Sequence, residues 1–486
     1  MKYRTERDFL GEVNIPYDAY YGIQTARAKE NFTISKQPIH KQLIIGLAIV
    51  KRAAAQANMK AEFLDITKAD VIMQACDQII NGEMHDQFIT DMIQGGAGTS
   101  MHMNINEVLA NRAGEILGED KGTYKTIHPN DHVNFGQSTN DVVPTAGKIA
   151  TIRLTKKLLT ELKKLHRSYL DKANTYLETV KMGRTHLQDA VPISIGQEFG
   201  AFAEALQRDI RRIDGALEEL TFINMGATAV GTGLNASDVY KKAVIQNLRR
   251  ISHINFKTAP NLIDSTRNLD PFLWLSSALK TLAVNLSKTA NDLRLMSSGP
   301  STGLNEINLP QVQAGSSIMP GKVNPVIPEV INQVAFEVIG NDVTITKAVE
   351  AGQLELNVFE PIIFVNLFSS LDILRRGVFT YRTKAIEGIT VNKDKCVSYV
   401  ERSSGVVTAL SPHIGYEKSA AIAKEAMATG KTIREIVIQE GLLTDEEIDV
   451  ILDIRNMTKP GIIGQNYLDK KNTDARKNHK KKKGTE

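Results

Sequence analysis

Cysteine is almost absent from this chain: Cys76 and Cys396 stand far apart in 486 residues. That excludes a disulfide framework and a cysteine-based metal cluster, and it suits a reducing compartment. Tryptophan is rarer still, with Trp274 alone, and aromatic residues make up only 6% of the chain. A core must then be built from Leu, Ile, Val, Ala and Met, a set that favours helices. No apolar run approaches the ~18 residues of a membrane span. The opening residues Met1 to Asp8 are charged and lack the apolar segment of a signal peptide. The expectation is a soluble, cytoplasmic protein with no membrane partner. A basic face is missing too. The net charge is +4, but residues 470–486 carry eight basic and two acidic residues, so the remainder stands at −2. That end is expected to be a solvated, disordered tail, and no nucleic-acid partner is expected.

What is present is helical periodicity. Hydrophobic residues make up 42% of the chain, enough for a sizeable core, and the length allows two to four domains at roughly 150 residues each. Leu158, Leu162, Leu165 and Tyr169 recur at helical spacing, as do Phe199, Phe202, Leu206, Ile210, Ile213 and Leu217. Leu275, Leu279, Leu282, Leu286 and Leu293 form a third stripe, Val330, Val334 and Val338 a fourth, and Phe364, Leu367, Leu371, Leu374 and Val378 a fifth. Each stripe taken singly is simply core. Five long ones in one region argue for a bundle of long helices. Such a bundle carries more apolar surface than one five-helix core hides, so homo-oligomerisation is expected. The fold class is therefore mainly α. Residues 1–138 are expected to form an N-terminal, mostly helical domain, with residues 1–40 irregular. Residues 139–392 would form the central bundle, and residues 393–486 a small helical domain ending in the tail. Thr444-Asp445-Glu446-Glu447 reads as a capping box for a last helix.

The loops carry the chemistry. Gly315-Ser316-Ser317-Ile318-Met319-Pro320-Gly321-Lys322-Val323-Asn324-Pro325 sets two hydroxyls, a cation and an amide around a Pro-Gly break. Pro325 biases Asn324 toward extended backbone. On local chemistry alone this is an ordinary interhelical loop, although its groups suit a small dianion. Four other stretches stand in order before it: Gly95-Gly96-Ala97-Gly98-Thr99-Ser100, Gln137-Ser138-Thr139-Asn140-Asp141, Gly183-Arg184-Thr185-His186-Leu187-Gln188-Asp189 and Gly231-Thr232-Gly233-Leu234-Asn235. The last lacks the third glycine of a dinucleotide fingerprint. In their order and spacing the five stretches resemble the aspartase/fumarase superfamily, from about Arg4 to about Gly464.

That resemblance implies a three-domain fold around a central bundle of long helices. It also implies homotetramers with active sites shared between chains, and elimination from a succinyl-type dicarboxylate to leave fumarate. The proton to be removed lies beside a carboxylate on a very weak carbon acid. Its loss requires an aci-carboxylate held by preorganised donors, and Thr99, Ser100, Ser138, Thr139 and Ser317 are hydroxyls of the right kind. By the resemblance, Ser316 is the base, on a loop that closes over the substrate. Lys322, Asn324 and Thr185 would hold the other carboxylate. Asn140 and His186 would contact the leaving group, with Glu329 orienting the imidazole. No metal-ligand cluster stands in the sequence, and no cofactor is expected. One run departs from the family pattern: Gly299-Pro300-Ser301-Thr302-Gly303-Leu304 has serine where arginine is common.

After Asn324-Pro325, the run Val326-Ile327-Pro328-Glu329-Val330-Ile331-Asn332-Gln333 is similar to the aspartase branch, which implies release of ammonia from L-aspartate. Fumarases usually continue with a Thr-Gln-Cys-type run. Two alternatives stay open: a class II fumarase, and a non-catalytic structural protein on the same scaffold.

Overall fold

A computed structural model describes residues 2–473; most of the basic tail lies outside the described residues. The chain opens on a hairpin, β1 (Tyr3–Asp8) and β2 (Gly11–Pro16), followed by helices α1 (Ile23–Asn31), α2 (Lys41–Lys60), α3 (Ile66–Ile80) and α4 (Thr99–Ile116). The long helix α5 (Thr139–Thr175) leads to a second hairpin, β3 (Val180–Thr185) and β4 (Gln188–Ser194), and then to α6 (Ile195–Glu219). Next come β5 (Phe222–Ile223), α7 (Asp238–Ser252), β6 (Lys257–Thr258), the single turn α8 (Asp264–Arg267) and α9 (Asp270–Met296). After β7 (Ile307–Asn308) run α10 (Val326–Glu350) and α11 (Glu360–Lys384). Then follow β8 (Thr390–Val391), α12 (Lys393–Arg402), α13 (Ser411–Ile414), α14 (Tyr416–Thr429), α15 (Ile433–Glu440) and α16 (Asp445–Ile451), and residues 465–473 are helical as well. The five apolar stripes fall on α5, α6, α9, α10 and α11. Every sheet has two strands, so the fold is mainly α.

The opening segment is more regular than its sequence suggests. β1 and β2 pair from Tyr3↔Pro16 to Asp8↔Gly11. In β1 the inward positions are the charged Arg4, Glu6 and Asp8, so hydrophobic periodicity does not reveal that strand, whereas β2 turns Val13 and buried Ile15 inward between exposed Glu12 and Asn14, a pattern too short to stand out. Arg4 holds the hairpin by donating to the carbonyls of Pro16, Tyr17, Ala19 and Tyr21.

The chain forms two compact units. One contains the residues through Lys163, Arg208–Leu286 and Gln333–Val378; the other contains Lys164–Gln207, Ser287–Asn332 and the residues from Phe379 onward. In the first unit small residues let helix backbones close on one another. A Cβ on Gly46 would stand 2.5 Å from the Ala146 carbonyl oxygen, and one on Gly147 would enter the Phe364 ring. Larger residues there would overpack the core at about 1–3 kcal/mol. Buried Glu107 on α4 ties down the start of α1, accepting from the amides of Gly22 (2.8 Å), Gln24 (2.8 Å) and Thr25 (3.1 Å) and from the Thr25 hydroxyl (2.6 Å). Those amides are the donors that a helix start leaves unpaired. Glu107→Ala strands several buried donors, each of which costs about 1–3 kcal/mol. A fall in melting temperature of ten degrees or more is expected in a thermal scan, and a fall below two degrees would refute this role.

In the second unit Tyr169, Phe199 and Phe202 pack as an aromatic cluster between α5 and α6, with ring centroids 5.6–6.3 Å apart. The small helices enclose a separate core in which Val180 and Met182 of β3 meet Val400, Leu410, Ile422 and Ile436. Thr444 caps α16 as the sequence implied, and Thr432 forms a second capping box for α15. Both cysteines are buried and unpaired. No helix among the described residues is long and apolar enough to cross a membrane.

Candidate active site

Two helix starts meet in the first unit. The turn before α4 runs through Gly96 (φ 81°), Ala97 (φ 55°) and Gly98 (φ 87°), all left-handed. Glycine takes this conformation freely; Ala97 is held in it at some strain. The turn delivers Thr99 as the first residue of α4, and Thr139 is the first residue of α5. Their hydroxyl oxygens lie 3.3 Å apart. Several amides at these helix starts are already paired, the Thr99 amide with the Gly96 carbonyl at 2.9 Å and the Met101 amide with Gln94 Oε1 at 3.0 Å, so what suits an anion here is the hydroxyl pair in the positive potential of two helix starts.

Ser138 and Asn140 flank Thr139. The Asn140 amide donates to Ser138 Oγ at 3.2 Å, and the Asn140 side chain donates through Nδ2 to the Ala229 carbonyl at 2.7 Å. That leaves the Asn140 Oδ1 as an acceptor, which suits an ammonium group. Pro144 lies within α5 and cannot donate to the Asn140 carbonyl one turn back. Asn224 does so instead, at 2.9 Å. Buried Asp141 fastens the same segment by accepting from the amides of Ser138 (3.0 Å), Gly226 (3.1 Å) and Thr228 (3.1 Å). Burial pushes its carboxyl up to about 6, against the pull of those donors. The turn at Gly231–Asn235 comes just after. A Cβ on Gly231 would collide with the Ile263 backbone.

Behind Thr139 lie two residues that the motif reading missed. His102 Nδ1 is 2.8 Å from Thr139 Oγ1, and Lys51 Nζ is 2.7 Å from His102 Nε2. Lys51 has 0% of its surface exposed. Its sequence signal was a lysine inside the apolar run of α2, and for His102 a histidine on a helix buried nearly all round.

The other candidates belong to the second unit. Thr185 and His186 sit at the tip of the β3–β4 hairpin, where Thr185 pairs with Gln188 around a two-residue turn. His186 (φ 54°) and Leu187 (φ 61°) both adopt the left-handed conformation. This is the type I′ geometry that normally selects Asn-Gly. Two bulky side chains held there cost on the order of 1 kcal/mol each, a pattern that marks functional loops. Both side chains are exposed, Leu187 at 72%. Below the tip, Arg184 donates to fully buried Glu306 at 2.7 Å, and Lys181 pairs with Glu306 at 3.0 Å and Glu198 at 3.1 Å. These ion pairs anchor the strand that carries His186.

In the Gly315–Pro325 loop, Ser316 Oγ accepts from the amides of Ile318 (3.2 Å) and Met319 (2.9 Å). Hydrogen bonds to an oxygen favour its anion, so this hydroxyl already carries part of the stabilisation that an alkoxide needs. Asn324 closes the loop by donating to the Gly315 carbonyl at 2.6 Å. Gly315 packs so tightly on the Lys322 carbonyl that a Cβ there would collide with it. Ser317 and Lys322 are exposed, as is Ile318 at 82%. Within the chain Glu329 lies 4.0 Å from Arg294. Gly315→Ala is expected to lower kcat at least tenfold by deforming the turn that holds Ser316. The melting temperature should move by less than two degrees, because the loop is exposed. Unchanged kcat would contradict the importance of that turn. Among the described residues, no group of three or more His, Cys, Asp or Glu side chains converges as a metal site.

Comparison with known proteins places the chain in a family. A family model described as "Lyase" matches residues 11–340, and one described as "Fumarase C C-terminus" matches residues 406–459. The chain is 54% identical to aspartate ammonia-lyase of Bacillus subtilis (strain 168), over 96% of this chain and 99% of that one. It is 47% identical to aspartate ammonia-lyase of Escherichia coli (strain K12), over 96% and 98%. Among solved structures, a fumarate lyase:delta crystallin from Brucella melitensis bound to cobalt superposes with a TM-score of 0.92 at 48% identity, covering 94% of this chain and 100% of that one. A class II fumarase from Schistosoma mansoni superposes with a TM-score of 0.91 at 36% identity and the same coverage. Matches of this length and identity show that the chain belongs to the aspartase/fumarase superfamily of lyases.

Proposed function

We propose that this enzyme is an aspartate ammonia-lyase that converts L-aspartate reversibly to fumarate and ammonia. The hydroxyl pair of Thr99 and Thr139 at two helix starts is the observation that supports elimination. Donors placed where a carboxylate gains a second charge are what the reaction needs. The leaving group is chosen on similarity: 54% identity to an aspartate ammonia-lyase against 36% to a class II fumarase.

In this reading Ser316, as alkoxide, takes the Cβ proton. The C–H electron pair moves into the adjacent carboxylate, which Thr99, Thr139, Ser138 and Ser317 hold as an aci-carboxylate. Its collapse forms the C=C bond and breaks Cα–N, and the pair leaves with ammonia. Lys322, Asn324 and Thr185 hold the α-carboxylate. Asn140 Oδ1 and His186 meet the amino group, with Glu329 orienting His186. The candidate residues lie on separate loops, and His186 and Leu187 project from a strained, exposed tip. Both features fit a homotetramer whose pockets draw on several chains. Exposed apolar side chains on the long helices, Trp274 at 60% and Phe336 at 64%, fit burial against further copies. A cytoplasmic setting and a three-part division at about residues 138 and 392 belong to the same reading.

The test follows fumarate absorbance with L-aspartate and, separately, with L-malate. Activity on L-aspartate alone is expected. Activity on L-malate alone would make this a fumarase, and activity on neither a structural protein.

A further inference from the structure

We propose that Lys51 is a buried positioning residue for the carboxylate subsite, acting through the proton relay Lys51–His102–Thr139. The inference rests on the reading of Thr99 and Thr139 as that subsite. The Lys51 ammonium has three protons and three acceptors: His102 Nε2 at 2.7 Å, Asn134 Oδ1 at 2.8 Å and Gln137 Oε1 at 3.0 Å. Asn134 and Gln137 are themselves held, since Gln137 Nε2 donates to the Val133 carbonyl at 3.0 Å and Asn134 Nδ2 to the Gln137 carbonyl at 3.3 Å.

A lysine that donates to Nε2 decides the tautomer of the ring. The imidazole proton must then sit on Nδ1, which points at Thr139 Oγ1, 2.8 Å away. Burial, together with the adjacent Lys51 charge, holds His102 well below the usual imidazole range, so the ring is neutral and has one proton to place. Once Thr139 Oγ1 accepts from His102, its own hydroxyl proton must point elsewhere. Thr99 Oγ1 donates to the Gly96 carbonyl at 2.7 Å, which leaves its oxygen, 3.3 Å away, as an acceptor for that proton unless a carboxylate is seated between the two. With the opposite tautomer, Nδ1 would accept from Thr139 and draw that proton away from the ligand.

The relay thus runs from a fully buried cation through half-buried Thr139 to exposed Thr99, and it carries both direction and charge. Burial pulls Lys51 down to about 7, with the Asp141 carboxylate opposing, so the relay carries its charge below that pH and loses it above. In such surroundings a cation is weakly screened, so it favours a dianion at the far end of the relay more than a monoanion.

The test uses the full-length enzyme with Lys51→Met, which keeps length and removes the donors. Expected is a loss of kcat on the order of 100-fold, comparable to losing an oxyanion donor itself, with KM for L-aspartate within about threefold. A nitronate analogue of the substrate, which mimics the aci-carboxylate, should bind on the order of 100-fold more weakly, and succinate, which mimics the ground state, within about threefold. Wild-type kcat and nitronate affinity would overturn the proposal. So would equal losses for both ligands, which would indicate a merely structural lysine. If Lys51→Met does not fold, neutron diffraction of wild-type crystals decides. In crystals held below the pH at which Lys51 titrates, a deuteron on His102 Nδ1 and three on Lys51 Nζ are expected, and a deuteron on Nε2 overturns the relay. Thr139→Val separates the two readings. If it leaves kcat and nitronate binding intact, the subsite reading fails. If it impairs both while Lys51→Met does not, the relay alone fails.

Discussion

Ser316→Ala is expected to lower kcat on L-aspartate by roughly three orders of magnitude or more, the scale on which enzymes lose activity when the attacking group is removed. KM should change little, because no proposed binding contact to either carboxylate depends on the Ser316 hydroxyl. The expectation rests on how that oxygen is held. A free serine is far too weak a base at neutral pH, but Ser316 Oγ already accepts two backbone N–H bonds. It also shares its loop with Lys322, whose charge would add to theirs once closure excludes water. Exchange of the Cβ hydrogen with solvent deuterium should stop with the turnover. The melting temperature should stay within two degrees, since Ser316 lies on a solvent-facing loop. Retention of more than a tenth of kcat would remove Ser316 as the base.

Mixing two dead variants is expected to bring activity back. Ser316→Ala and His186→Ala should each be deeply impaired alone. If one pocket takes Ser316 from one chain and His186 from another, random reassembly of equal amounts leaves about a quarter of pockets with both residues intact. After co-refolding or co-expression, activity should approach about a quarter of wild type, far above either parent. The motivation is geometric. His186 stands on an exposed hairpin tip beside a Leu187 that is 72% exposed, and both keep a backbone conformation that neither side chain favours. Strain of this kind persists where surrounding structure and function demand it. Recovery no greater than the sum of the parents would place both residues in one chain and sink the shared pocket.

The five long helices were legible because their stripes are long and strongly periodic, and the same regularity announced the capping box at Thr444. The N-terminal hairpin was not legible. Arg4 reaches four carbonyls, the inward side chains of β1 are charged, and the apolar alternation of β2 amounts to Val13 and Ile15 alone, too little to mark a strand. The loops were legible as motifs, and their candidate residues followed from resemblance. How those loops hold their residues was not: the left-handed run at Gly96 to Gly98, the Asn224 side chain that satisfies the carbonyl left open by Pro144, and the two amides on Ser316 all depend on chain segments far apart or on dihedral angles.

By itself the sequence determined a helical, cysteine-poor chain and the order of five polar loops, because apolar periodicity and glycine or proline punctuation are local properties. Tertiary structure alone decided that the Thr99 and Thr139 hydroxyls lie 3.3 Å apart and that Lys51 and His102 stand behind them. The physical reason is burial. A lysine inside the apolar run of α2 hints at burial, but its partner on α4 is set only when packing removes water and brings His102 within hydrogen-bond distance.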